Sequence, residues 1–182
     1  MRGFFGIGVE RISKQMNAGN LVRSAHAFGA SFFFTVGASY RPGEARSDTS
    51  KAPEHLPLYN WPTLEEMVLP AGCALVGIEL TEDAIELPSF GHPVRAAYVL
   101  GPERGSLSPA MLARCRYVIK IPTAFCINVA TAGAIVMYDR IRMLGRHDPR
   151  PIGEGPPLET QAAHVRGAVR TRRKPKGRPV GE

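Results

Sequence analysis

The sequence predicts an α/β fold, a mostly parallel sheet flanked by helices. Three observations carry that prediction. Apolar runs of strand length recur at residues 4–9, 32–36, 74–80, 96–100 and 117–121. Segments with helical spacing or helix-start signals lie between most of them. Apolar residues make up 44% of the 182 and charged residues 21%, which can bury one core but hardly two.

Taken in order, residues 4–9 read as the first strand. Asn17 is a helix-capping residue type, and Leu21, Val22, Ala25 and Phe28 follow at helical spacing until Gly29 ends the helix. The run FFFTV at 32–36 is aromatic and β-branched, so it reads as a buried strand. Residues 37–60 hold three Pro and two Gly and read as one long loop. After Pro62, Thr63 and Glu66 form a capping-box pattern that predicts a short helix. Strands are predicted at 74–80 and 96–100. Ser108-Pro109 is an N-cap followed by a helix-starting proline, giving a helix to Arg114. A strand at 117–121 precedes a helix over about 127–144, whose first half carries Ala130, Ala132, Gly133 and Ala134. Those small residues suit close helix packing, and the same pattern serves at a dimer interface.

Charge divides the chain. The net charge is +7, and residues 140–182 hold 11 Lys/Arg against 4 Asp/Glu, whereas residues 1–139 hold 12 of each. The expected organisation is therefore a folded domain at 1–145 and a linker with a basic tail at 146–182. In that tail Arg166, Arg170, Arg172, Arg173, Lys174, Lys176 and Arg178 stand without an acid among them. Such a run predicts a segment without a fixed fold that touches a polyanion, or simply a solvated tail.

Other classes are excluded by pattern. No apolar run reaches the roughly 18 residues of a membrane span. The N-terminal stretch is too short and too weakly basic for a signal peptide. Cys73, Cys115 and Cys126 are odd in number and unpaired as CxxC, so neither a disulfide framework nor a metal site is expected, and a reducing cytoplasm is. Gly3, Gly6 and Gly8 do not make GxGxxG, and GxxxxGK[ST], HExxH and GxSxG do not occur.

Three segments remain unexplained by folding alone. Asn17-Ala-Gly-Asn20-Leu-Val-Arg23 is a polar cluster at a helix start. Leu100-Gly101-Pro102-Glu103-Arg104-Gly105-Ser106-Leu107 is a glycine-bracketed acidic loop directly after a strand. Ile121-Pro122-Thr123-Ala124-Phe125-Cys126-Ile127-Asn128 joins a strand end to a helix start. The last two lie at carboxyl ends of strands, where α/β sheets bind ligands.

In order and spacing these segments resemble the three motifs of the SpoU/TrmH-type RNA 2′-O-ribose methyltransferases of the SPOUT superfamily, over about residues 6–138. N-x-G-N-x-x-R with a following FG corresponds to Asn17, Gly19, Asn20, Arg23, Phe28 and Gly29. LGxE with a later leucine corresponds to Leu100, Gly101, Glu103 and Leu107. The pattern IP…SLNVA corresponds to Ile121, Pro122 and the run from Cys126 to Ala130, and His92-Pro93 with Arg95 fits the approach to the second motif.

The resemblance implies a C-terminal trefoil knot, which topology rules alone would argue against. It also implies a homodimer and S-adenosyl-L-methionine held by backbone groups at Leu100, Gly101, Ile121 and Ile127, with Thr123. The substrate it implies is structured RNA, tRNA on the strength of the short first motif, with ribosomal RNA as the alternative. The catalytic set it implies is Arg23, Asn17, Glu103 and Asn128, and the basic tail stands in for the accessory RNA-binding domain of larger members. Two positions depart from the family: Cys126 replaces its usual Ser, and Thr123 its frequent Met. A thiol donates more weakly than a hydroxyl. That departure is the one sequence argument for a different class, a SPOUT-fold RNA-binding protein that transfers no methyl group.

Methyl transfer to a ribose hydroxyl is an in-line displacement that needs the reacting atoms held about 3–3.5 Å apart and the hydroxyl proton removed. Taking a proton from an arginine of ordinary pKa, about 12.5, costs roughly 7 kcal/mol at pH 7. Arg23 is therefore read as a charged group that binds phosphate and steadies the developing alkoxide, not as a base. Asn17 and Asn128 can equally be innocent helix caps, Glu103 a loop cap, and Cys126 a small buried hydrophobe.

Overall fold

In the computed structural model, which describes residues 3–39 and 55–145, the apolar runs become strands of one sheet. All of these residues belong to a single unit, Met1–His147. Chain order is β1 (Phe4–Glu10), α1 (Gln15–Ala27), β2 (Phe32–Val36), β3 (Leu58–Trp61), β4 (Ala74–Ile78), β5 (Ile85–Glu86), β6 (Arg95–Leu100), α2 (Pro109–Arg114), β7 (Tyr117–Lys120) and α3 (Val129–Leu144). In space the strands run β3-β2-β1-β6-β4-β7-β5, and every pairing is parallel. All strands therefore end at one edge. Val36 pairs with both Glu10 and Trp61, Leu100 with Val9 and Ile78, and Ile78 with Ile119. From β1 the chain turns to one side of the sheet and from β6 to the other, so a crevice opens between their tips.

Both faces are covered, which is why the strands carry few polar residues. Phe5, Ile7, Val9, Tyr98 and Ile119 belong to one cluster with Leu21, Val22, Val136 and Met137 of α1 and α3. Phe32, Phe34, Leu75, Val99 and Met111 form the opposite cluster with α2. The small residues of α3 serve close packing: a Cβ on Gly133 would lie 2.3 Å from Leu21 Cδ1.

Four local expectations are corrected. Asn17 is not a cap, because α1 already begins at Gln15 with Lys14 as its N-cap. The Thr63–Glu66 side-chain bond forms (3.3 Å), yet no helix follows. Met67-Val68-Leu69 leads directly into Pro70, leaving too few residues for a turn to propagate. The end of the expected 37–60 loop is strand β3, with its 40–54 stretch outside the described residues. Residues 85–86 form the short edge strand β5, which is too brief to leave a periodic signal. The linker and tail from 146 onward also lie outside the described residues.

The helix α3 is fixed to the opposite, N-terminal edge of the sheet by a buried polar network. Arg140 is fully buried. It donates to Pro93 O (2.6 Å), Val94 O (2.9 Å), Phe4 O (3.3 Å) and the Tyr98 hydroxyl (3.1 Å). His92 lies 2.6 Å from that hydroxyl through Nδ1 and 3.1 Å from Asp139 Oδ2 through Nε2. Burial lowers the His92 pKa against the pull of Asp139, and pushes the Tyr98 phenol up to about 12. A neutral ring fits: Arg140 donates to Tyr98, Tyr98 to Nδ1, and Nε2–H to Asp139. Replacing Arg140 with Met removes the side-chain donor from Pro93 O, Phe4 O and Val94 O, the last of which keeps Phe4 N (3.2 Å). We expect a loss of about 3 kcal/mol or more in urea unfolding. An unchanged midpoint would mean that the network holds nothing together.

Candidate functional site

A cavity of about 180 Å³, open to solvent, lies at the tips of β4, β6 and β7. Its apolar walls are Ile78 and Leu100, which end the buried strands β4 and β6, Ile121 and Ile127 of the loop after β7, and Val129 at the start of α3. Two loops close over it, 101–107 after β6 and 121–128 after β7. Gly101 permits the first to fold back: a Cβ there would stand 3.1 Å from Leu107 N and 3.5 Å from Glu79 Oε2. Glu79, just past the end of β4, accepts from Leu107 N (2.8 Å) and Leu80 N (3.0 Å) and so ties the loop to the neighbouring strand. In the second loop Thr123 Oγ1 donates to Phe125 O (2.9 Å) and Ile121 O (3.4 Å), setting the turn.

The mouth of the cavity holds a chain of polar side chains from three distant segments. Glu103 accepts from Ser13 N (3.2 Å), Ser13 Oγ (3.1 Å), Lys14 N (3.0 Å) and Asn17 Nδ2 (3.1 Å). Asn128 Nδ2 then donates to Asn17 Oδ1 (3.0 Å). Asn128 also caps α3, its Oδ1 accepting from Ala130 N (2.9 Å) and Thr131 N (3.4 Å). Glu103 thus holds the two residues that lead into α1 and the Asn17 side chain in its first turn, and an anion at a helix start is favoured by the helix dipole.

Burial raises the Glu103 pKa, but the backbone N–H groups and the Asn17 amide outweigh it and hold the carboxyl below its usual range. The tether is therefore present above the ordinary carboxylate range and is lost as pH falls through the lower folded value. Glu103→Ala is expected to speed hydrogen exchange at the Ser13 and Lys14 amides by about tenfold. Exchange at the wild-type rate would show that α1 does not depend on this carboxylate.

The residues predicted from sequence fall in three groups. Leu100, Gly101, Ile121, Thr123 and Ile127 all line the cavity. Asn17, Glu103 and Asn128 are joined by direct hydrogen bonds at its mouth. Arg23 stands on the exposed face of α1, six residues on from Asn17. The basic residues of the tail lie outside the described part. Cys126 is exposed on the cavity wall. Sequence reasoning missed Glu79, which seats the loop, and Glu10, which is buried and accepts from Ser108 N (2.7 Å) and Oγ (2.6 Å) at the start of α2. It also missed Lys120, which donates to Glu82 O (2.9 Å) and Thr81 O (3.2 Å). The available signal was a charged residue closing three of the apolar strands: Glu10 ends β1, Glu79 follows β4 and Lys120 ends β7.

A parallel sheet with two loops folded over its strand tips, and a C-terminal helix returning against the first, defines a SPOUT-type α/β protein. The chain belongs to the SpoU rRNA Methylase family, whose model matches residues 5–138. Among solved structures it is similar to the SpoU methyltransferase AviRb from Streptomyces viridochromogenes. Identity is 28% and the TM-score 0.69, over 80% of this chain and 62% of that one. An AdoMet-bound rRNA methyltransferase from Sinorhizobium meliloti shares the fold at 20% identity and a TM-score of 0.71, over 79% and 58%. So does a structure described as giving insights into the 2-OH methylation of C/U34 on tRNA, at 20% identity and 0.67, over 79% and 99%. The chain thus spans less than two thirds of the first two relatives. A search of curated proteins finds no match.

Proposed function

We propose that this protein transfers a methyl group from S-adenosyl-L-methionine to a ribose 2′-hydroxyl of structured RNA. The observation that carries the reading is the joining of the cavity to the Glu103–Asn17–Asn128 chain at its mouth. The cavity's chemistry fits an adenosyl ligand. Its apolar walls suit a flat ring, and the backbone past the ends of β6 and β7 borders it at Gly101, Ile121 and Thr123. Leu100, Gly101, Ile121, Thr123 and Ile127 are the residues we assign to holding it. When bound, the cofactor would supply an activated methyl on a cationic sulfur and leave as S-adenosylhomocysteine, the hydroxyl proton passing to water at the open mouth of the cavity.

The chain's own residues do the rest. Glu103 holds the start of α1, and through Asn17 it fixes Asn128, so the helix that carries Arg23 and the loop that shapes the cavity move as one. Arg23 binds a phosphate of the substrate and lowers the cost of negative charge on the ribose oxygen. Asn17 and Asn128 orient the nucleotide.

The substrate we infer is tRNA. The short first motif supports it, and the tRNA-related structure is among the similar folds. Ribosomal RNA is the second reading, favoured by the description of the matching family. We further infer a trefoil knot formed by the 121–145 segment and a homodimer. Phe125 (76% exposed) and Tyr138 are apolar surface that a second copy would cover. We also assign Arg166, Arg170, Arg172, Arg173, Lys174 and Lys176 to gripping RNA, and residues 1–145 to a catalytic domain. Three free cysteines suit a reducing cytoplasm. No helix among the described residues is long and apolar enough to cross a membrane.

Comparing ribose methylation in total RNA with and without the gene tests the reading. One or a few 2′-O-methyl positions should disappear from tRNA. Disappearance from ribosomal RNA instead would select the second substrate, and an unchanged map would contradict the activity.

A further inference from the structure

At the other end of the same sheet edge lies a feature that methyl transfer does not use. Tyr59 and Trp61 alternate along edge strand β3 and stack face to face, with centroids 5.6 Å apart and planes 7° from parallel. Tyr59 is 47% exposed. Behind them Phe32 meets Tyr59 edge-on at 6.1 Å and Phe34 meets Trp61 at 5.6 Å, so the pair is held from within. Trp61 packs partly against the cluster of Phe32 and Phe34, whereas Tyr59 stands out from it on an edge strand that buries none of its residues fully.

The pair is continuous with the cavity. Trp61 O accepts from Gly37 N (2.9 Å), and a Cβ on Gly37 would sit 3.4 Å from Arg11 Cγ. Arg11 Nη2 donates to Ser106 O (3.0 Å) in the loop over the cavity and lies 3.8 Å from Glu10, while the side chain stays 53% exposed. Arg11 also holds a backbone conformation rare for a side-chain-bearing residue, φ 51°. Such strain concentrates at functional positions. The register places Trp61 three strands from Leu100, about 14 Å along the edge at the usual strand spacing.

The geometry points to a track for single-stranded RNA: unpaired bases beside the target nucleotide stack on Tyr59 and Trp61, and the intervening phosphate meets Arg11. RNA-binding proteins read unpaired bases by aromatic stacking joined to arginine contacts, and each stacked base weighs heavily in affinity. The inference rests on the RNA reading above. It adds where the strand runs and what the edge recognises, unpaired bases and not a duplex.

Trp61 is the only tryptophan of the chain, so its emission reports on this edge alone. Titrating the full-length protein with a short oligoadenylate should quench that emission, and a blunt RNA hairpin should not. Tyr59→Leu should weaken oligoadenylate binding about tenfold, while Tyr59→Phe, which keeps the ring, stays within about twofold. S-adenosylhomocysteine affinity checks the fold of each variant, and the wild-type quenching needs no variant at all. Oligoadenylate that binds without quenching, or binds Tyr59→Leu as well as wild type, overturns the track. A shift in sedimentation for Tyr59→Leu with RNA affinity unchanged also overturns it, giving the edge to a second copy. If S-adenosylhomocysteine binds and oligoadenylate does not, the track fails and the cofactor reading stands. Quenching without S-adenosylhomocysteine binding supports the track and fails the proposed activity.

Discussion

Arg23→Ala is expected to abolish methyl transfer, a fall of about 10²–10³-fold or more, while S-adenosylhomocysteine affinity stays within about twofold. The reason is separation of roles. The groups assigned to the cofactor line the cavity at the tips of β6 and β7, whereas Arg23 stands outside it on the exposed face of α1. Its removal should fall chiefly on the charge of the nucleotide and not on the cavity. Arg23→Lys should recover part of the rate, because a point charge still attracts a phosphate but cannot grip it with two parallel donors. Single-turnover transfer measured beside calorimetry checks both halves. Activity within a few fold of wild type in the alanine variant would remove Arg23 from the mechanism.

Gly101→Val should do the reverse and weaken the cofactor directly. The first carbon of the new side chain would meet Leu107 N at 3.1 Å and Ser106 C at 3.3 Å, both backbone, so the loop itself must give way. The branched carbons beyond it push the 101–107 loop off the Glu79 carboxylate that holds Leu107. Overpacking of about 1–3 kcal/mol at this one loop corresponds to as much as about a hundredfold in affinity. Calorimetry with S-adenosylhomocysteine reads it, and Gly101→Ala should lie between the two. Full affinity in the valine variant would mean that the loop does not border the ligand.

Much of this architecture was legible in the sequence because the parallel strands are buried on both faces and therefore run apolar without interruption. The strand tips followed, whereas the cavity-lining positions Leu100, Gly101, Ile121, Thr123 and Ile127 came from the motifs that carry the family resemblance. What escaped has physical causes. β3 reads as loop because its residues are half-exposed, and β5 has two residues. At Thr63 the local signal was real, since the side-chain bond forms, but a proline seven residues on leaves no helix to cap. Asn17 looked like a cap because its usual partner is local. Here the acceptor at the start of α1 is Glu103, some 90 residues away, and no spacing rule finds it. The same holds for Glu79 and Glu10, whose partners lie in loops that the sheet, not the sequence, brings near.

The most direct test is a structure determined with S-adenosylhomocysteine bound. The account predicts the ligand at the tips of β4, β6 and β7, between loops 101–107 and 121–128, with the site of the missing methyl facing the Asn17–Asn128 pair. A ligand seated elsewhere on the sheet, or a protein that takes up none at saturating concentration, would contradict it.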